Sequence, residues 1–262
     1  MILLVKPSQL GTSQSGSPFI HRLWISLLVC LVVNVHSTQK DTVYLSKQVR
    51  DGKLVAVFVD PSRDSRFYRS LTNFSLRSHD SMSYATSLDL LRERGLRLGR
   101  VRNLLPWKTW VPLRLHQGAL VVYKPCDFLF HSQWSVNDST VIEWTGEGPW
   151  ALKLLWQKRI SPQTYRLAYT GEAGRSEELT IHIIDPKKGI AVFQSATDSS
   201  DTTYTLVIAA KTIRSVPLIV NRCPAGKELE FDFPDLDAKK FLRPTTAPIQ
   251  SPAAHPLRGE PQ

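Results

Sequence analysis

Between residues 115 and 220, short apolar or alternating runs recur every 8 to 13 residues: Ala119–Tyr123, Phe128–Trp134, Thr140–Trp144, Ala151–Trp156, Tyr165–Tyr169, Glu178–Ile184, Ile190–Gln194, Thr203–Ala209 and Ser215–Val220. Turn-forming clusters separate them, among them Asn137-Asp138-Ser139, Gly146-Glu147-Gly148-Pro149 and Asp185-Pro186-Lys187-Lys188-Gly189. Side chains of a strand alternate between two faces, so runs such as Thr180-Ile181-His182-Ile183-Ile184 bury one face of a sheet. No helix-length pattern interrupts the series. Nine short strands at this spacing predict a mainly β domain, an antiparallel β-sandwich over residues 115–223.

The region 38–114 is mixed. Thr42–Leu45 and Leu54–Asp60 are β-branched and aromatic runs on either side of Arg50-Asp51-Gly52, which reads as a hairpin. Pro61–Tyr84 is polar, rich in Ser and Arg and weakly periodic, which predicts a long loop or an irregular β segment in preference to a helix. A short helix is expected over Ser87–Leu105, with Ser87 as its cap and Pro106 as its stop; Gly95 and Gly99 weaken it by about 1 kcal/mol each. After residue 223 the chain is charged and then rich in Pro, Ala and Thr, so residues 224–262 are expected to form a disordered tail.

The N-terminus alters the chemistry expected of all this. Leu23–Val35 is an apolar run of thirteen with a single Asn, preceded by His21-Arg22. It is too short for a comfortable membrane span and has the form of a secretory leader cleaved after Ser37, with a signal anchor or a buried core segment as alternatives. Loss of residues 1–37 removes Lys6, Arg22 and Cys30, so the formal charge falls from +10 to +8 and two cysteines remain. An even pair in an oxidising compartment predicts a disulfide between Cys126 and Cys223. Two sequons, at Asn73 and Asn137, point to a glycoprotein of the same compartment.

The basic surplus is densest at Arg92, Arg94, Arg97, Arg100, Arg102, Lys108 and Arg114, with Trp107 and Trp110 among them. Guanidinium groups bind sulfate or phosphate through paired hydrogen bonds and indoles stack on sugar rings, so this segment is a candidate polyanion site, although the solvated face of an amphipathic segment needs the same residues and is the commoner case. Histidines and carboxylates do not fall into a zincin, nucleophile-elbow, dinucleotide or P-loop pattern. No metal or other cofactor is predicted. Pairs such as Glu177 with Glu178, or Asp235 with Asp237, are the material from which a divergent hydrolase would be built.

With a Trp at 134 or 144 in an early strand, and Asp201-Thr-Thr-Tyr204-Thr-Leu206 where a tyrosine corner would fall, residues 115–222 resemble an immunoglobulin-like or fibronectin-type module. The cysteines depart from that pattern, since Cys223 follows the last predicted strand and would staple the ends of the domain. The resemblance implies architecture only. The function expected is that of a secreted or luminal glycoprotein whose β module binds a protein partner, at the cell surface or in the extracellular space. Binding of an anionic, heparin-like glycan and secreted hydrolysis are the alternatives. Nucleic acid is excluded if the chain is secreted, and a membrane enters only if the leader stays uncleaved.

Overall fold

The computed structural model describes residues 42–76, 78–170, 174–196, 202–224 and 230–242. The expected leader and the Pro/Ala-rich stretch from residue 243 onward lie outside the described residues. All nine strands anticipated after residue 115 are present as β4 to β12: β4 (Ala119–Lys124), β5 (Ser132–Val136), β6 (Thr140–Thr145), β7 (Gly148–Ser161), β8 (Thr164–Thr170), β9 (Ser176–Asp185), β10 (Ile190–Ala196), β11 (Thr202–Ala209) and β12 (Leu218–Arg222). Ahead of them lie β1 (Val43–Arg50), β2 (Lys53–Asp60), two helices, α1 (Arg66–Leu71) and α2 (Ser78–Glu93), and β3 (Thr109–His116). The predicted hairpin is β1–β2, turning at Asp51 and Gly52, both with positive φ.

The expected sandwich is not formed; the strands close into an eight-stranded antiparallel barrel. Order around it is β3-β5-β6-β7-β8-β9-β10-β11, and β11 returns to β3. Closure occurs at Trp110, which faces Trp134 of β5 on one side and Ala209 of β11 on the other. One buried cluster receives side chains from all eight strands, including Trp110, Val136, Val141, Leu154, Leu167, Ile181, Phe193 and Val207. That single shared cluster marks the lumen of a barrel, where a sandwich would press two inner faces together. Inner and outer residues alternate identically in the two architectures, so periodicity alone does not separate them.

The details on which the immunoglobulin-like resemblance rested also fall elsewhere. Trp134 packs on Phe193 at the lumen, Trp144 lies against Phe74 outside it, and Tyr204 sits within β11 opposite Gln194 without forming a corner.

Past Pro112, β3 leaves the barrel and pairs with β4 through Leu113–His116. There it begins a second sheet that continues through β12, β2 and β1, with β4 and β12 parallel. Residues before 114 and after 115 therefore share one sheet. A second core fills the space against the outer face of β10, β11 and β3, where Val192, Ile208 and Leu113 meet Val122, Leu218 and Val220. Tyr68 and Leu71 of α1 join it, and the Tyr68 hydroxyl donates to the Val216 carbonyl at 2.7 Å. On the opposite face of that sheet, Val57, Val121 and Ile219 are covered by Phe231 and Phe233. Part of the region read as a tail, residues 230–242, is thus packed, and Ala238 is buried.

The helix expected over Ser87–Leu105 lies about nine residues earlier. Ser87 is internal and buried, its hydroxyl donating to Tyr84 O, so it does not cap. The helix stops at Gly95, φ +71°, where Gly95 N bonds Arg92 O and Leu96 N bonds Leu91 O, the paired bonds of a Schellman turn. The long loop predicted over 61–84 contains α1 and the start of α2, because polar residues hide helical faces that tertiary contacts bury.

Candidate functional site at the basic end of the barrel

β7 is the longest strand and positions what surrounds it. Its first half pairs with β6 and its second half with β8, leaving half of each edge without a strand partner. Beside the first half lies α2, whose Ser87 hydroxyl accepts from Ala151 N at 3.0 Å while Ser83 donates to Glu147 O at 3.0 Å. Gly148 allows this approach: its φ is +114°, and a Cβ there would sit 2.7 Å from the Ser83 hydroxyl.

Beyond α2 the chain forms a strap, residues 96–108, that crosses to the barrel end at which β3 begins. Val101 N bonds Asp138 O, Asn103 donates to Val136 O, and Leu104 N donates to the Gln157 side chain at 3.0 Å. Val101, Leu104, Leu105 and Trp107 turn inward and pack on the lumen cluster, so the strap stoppers that end. Its charged residues are left outside: Arg97, Arg100, Arg102 and Lys108 are all exposed.

An up-and-down barrel places every second connection at the same end. Here those are the turns 137–139, 162–163 and 186–189 and the 3-10 segment Ala210–Ser215 that follows β11. They bring Lys158, Arg159, Lys187, Lys188 and Lys211 to the end already carrying the strap. The acids in the same connections are Asp138 and Asp185. Arg100 lies 3.9 Å from Asp138, and one Asp185 carboxylate oxygen accepts from the backbone of Lys187 and Lys188. A surface with this surplus carries a positive potential.

The structure divides the residues singled out in the sequence. Arg100, Arg102 and Lys108 belong to this end, with Arg97 at its margin. Arg92 is ion-paired to Asp89, and Arg94 lies with it where α2 ends. Arg114 is six strand residues along β3 from Lys108, about 20 Å away, opposite Val121 of β4. Trp110 is wholly inside the lumen and closed to a sugar ring, while Trp107 is half-buried and meets it edge-on at 5.7 Å. Sequence spacing missed the lysines of the β7–β8 and β9–β10 turns, since nothing local links residue 187 to residue 102.

Comparison with protein-family models, curated proteins and solved structures finds no match for this chain. Its chemistry therefore rests on the surface just described and on two further features.

The first is a cleft of about 750 Å³ between α2 and the β6–β7 turn, lined by Met82, Thr86, Arg94, Glu143, Glu147 and Trp150. Met82 is 71% exposed there. The second is a polar cluster beside the Cys126–Cys223 disulfide, which joins the ends of β4 and β12 with Cα atoms 5.7 Å apart. Glu230 accepts from the Tyr123 hydroxyl, from Cys126 N and Asp127 N, and from the Asn221 amide. Burial, reinforced by Glu230, pushes the Tyr123 phenol well above its ordinary value. The adjoining cavity is about 20 Å³, the room of one water.

Near it, burial holds His131 below its ordinary 6.5, with the Lys124 cation adding to the effect and Glu230 opposing it; burial alone lowers His116. Both histidines favour the neutral form in the folded state, so as the pH falls the unfolded chain takes up protons first. Stability is therefore complete above about pH 6.5 and declines below it. The urea midpoint should fall between pH 7.5 and 5.5, and His131→Phe should flatten that fall. An unchanged slope in the variant would assign the effect to other groups.

The carboxylate pairs considered for hydrolysis do not converge. Glu177 and Glu178 are neighbours on β9 and point to opposite faces, and Asp237 is ion-paired to Lys240. His182 is bonded to Gln194 at 3.0 Å. Among the described residues no group of His, Cys, Asp and Glu is arranged to hold a metal, and no helix is long and apolar enough to cross a membrane.

The sequons differ in setting. Asn73 is exposed, and its side-chain oxygen accepts from Ser75 N and from the Ser75 hydroxyl. Asn137 is half-buried in the turn that the strap clamps, with its amide donating to the Thr140 hydroxyl.

Proposed function

We propose that this is a non-catalytic binding protein of the secretory pathway that engages an anionic glycan through the basic end of its barrel. The observation carrying this reading is the convergence of strap and turn cations, from segments up to about one hundred residues apart in sequence, onto one barrel end. The disulfide is consistent with an oxidising compartment, and the exposed Asn73 sequon agrees with a glycoprotein.

Exposed charge pairs contribute about 0.2–1 kcal/mol each and are screened by salt. Replacing Lys158, Arg159, Lys187 and Lys188 together by Ala should therefore weaken heparin binding about tenfold or more and lower the eluting salt concentration. The same number of substitutions at Arg114, Lys47, Lys53 and Lys240, away from this end, should change it little. Equal losses in the two variants would show that only net charge matters and would sink the site.

A protein partner is a second reading, favoured by the exposed thioether of Met82 beside Trp150 in the α2 cleft. Met82→Glu should then abolish partner capture while leaving heparin retention intact.

A further inference from the structure

Resting on the glycan reading above, we infer that Trp156 is the sugar-stacking platform of the basic end. The ligand is then a sulfated or uronic glycan, with one pyranose ring laid on the indole and its anionic group at Lys158. Leu154 points into the lumen opposite Tyr169, and strand alternation would send Trp156 the same way. A bulge between Leu154 and Trp156 shifts the register and turns Trp156 outward, opposite Ala168, whose methyl group is too small to cover an indole. Bulges at barrel rims re-aim side chains in this manner, often beside functional sites.

The outcome sets Trp156 apart. It is 39% exposed, more than any other tryptophan among the described residues. Trp107, Trp110, Trp134 and Trp150 belong to or pack on the lumen cluster, and Trp144 lies edge-on to Phe74 with its N–H donated to the Ser135 hydroxyl. Among the described residues Trp156 makes no ring contact and no hydrogen bond. From Trp156 onward β7 has β8 as its one strand partner, so the indole stands clear of β6.

The charges beside it suit an anionic sugar. Lys158 is two residues along the same outer face, about 7 Å away, and directly opposite Arg166. Like charges so placed repel. Arg166 is relieved by its ion pair with Glu178, whereas Lys158 has no ion pair among the described residues. A sulfate or carboxylate at Lys158 would complete the arrangement. A pyranose with equatorial substituents offers a face of C–H groups to an aromatic ring while its charged substituents lie at the rim; a chain of phosphates offers charge alone.

Heparin hexasaccharide and an inorganic polyphosphate of similar charge separate these two contributions in the purified protein. Trp156→Leu keeps an apolar side chain over Ala168 but removes the ring. It should weaken heparin hexasaccharide binding about three- to tenfold, leave polyphosphate binding unchanged and leave the far-ultraviolet spectrum intact. Trp156→Tyr, which retains a ring, should restore most of the affinity. In the wild-type protein heparin hexasaccharide should shield part of the tryptophan emission from acrylamide and polyphosphate should not, and the shielding should vanish in Trp156→Leu. Equal losses for the two probes, no loss for heparin, or shielding that persists in Trp156→Leu overturns the platform. In those cases the basic end still stands if the variant lacking Lys158, Arg159, Lys187 and Lys188 loses heparin. Wild-type protein that binds no heparin overturns the glycan reading and the platform together.

Discussion

Trp110→Ala is expected to remove about 3–5 kcal/mol of stability, read as a lower urea midpoint. Domains of this kind are stable by only about 5–15 kcal/mol, so the loss is a large share of the total. Trp110 has no exposed surface, meets Trp107 at 5.7 Å and Phe193 at 5.4 Å, and sits where β3 touches both β5 and β11. Truncation would leave an indole-sized void at the closure of the barrel, and the strap residues above it would lose their floor. A surface indole would cost little, so a change under about 1 kcal/mol would contradict its burial in the lumen.

The second large effect is expected at the disulfide. The bridge spans 97 residues, and constraining a loop of that order stabilises by about 2–5 kcal/mol, chiefly through the unfolded chain. Cys126→Ser/Cys223→Ser should lower the urea midpoint accordingly, and dithiothreitol should reproduce the loss in the wild-type chain and add nothing in the double variant. Because the cysteines sit beyond the ends of β4 and β12 and outside the lumen, the near-ultraviolet spectrum of the barrel tryptophans should persist below the midpoint. A spectrum lost on reduction in buffer alone would show that the outer sheet and barrel do not stand independently of the bond.

What the sequence revealed divides along physical lines. Strand positions after residue 115 and the β1–β2 turn were legible because alternation and turn chemistry are local. β3 was not recognised: Thr109–His116 carries Pro112, Lys108 and Arg114 in or beside it and reads as part of a basic segment, although its inward side chain closes the barrel. Closure itself left no mark in the pattern, since it depends on β3 meeting β5 and β11 across long separations. The candidate site was half legible. Arg100, Arg102 and Lys108 stood out by density, but Lys158, Arg159, Lys187 and Lys188 join them only through barrel topology, and of the intervening tryptophans Trp110 proved to be core.

The seam at Trp110 also sets an order of events during synthesis. Residues 110–112 find their partners Val207–Ala209 only after about one hundred further residues have been made, which at about 5–20 residues per second takes roughly 5–20 s. Long-range pairings of this kind close slowly, in about milliseconds to seconds once both strands exist. The nascent chain therefore carries an open meander whose first strand exposes one of its edges until β11 emerges. During that interval the chain is most open to wrong partners and most dependent on holding by chaperones.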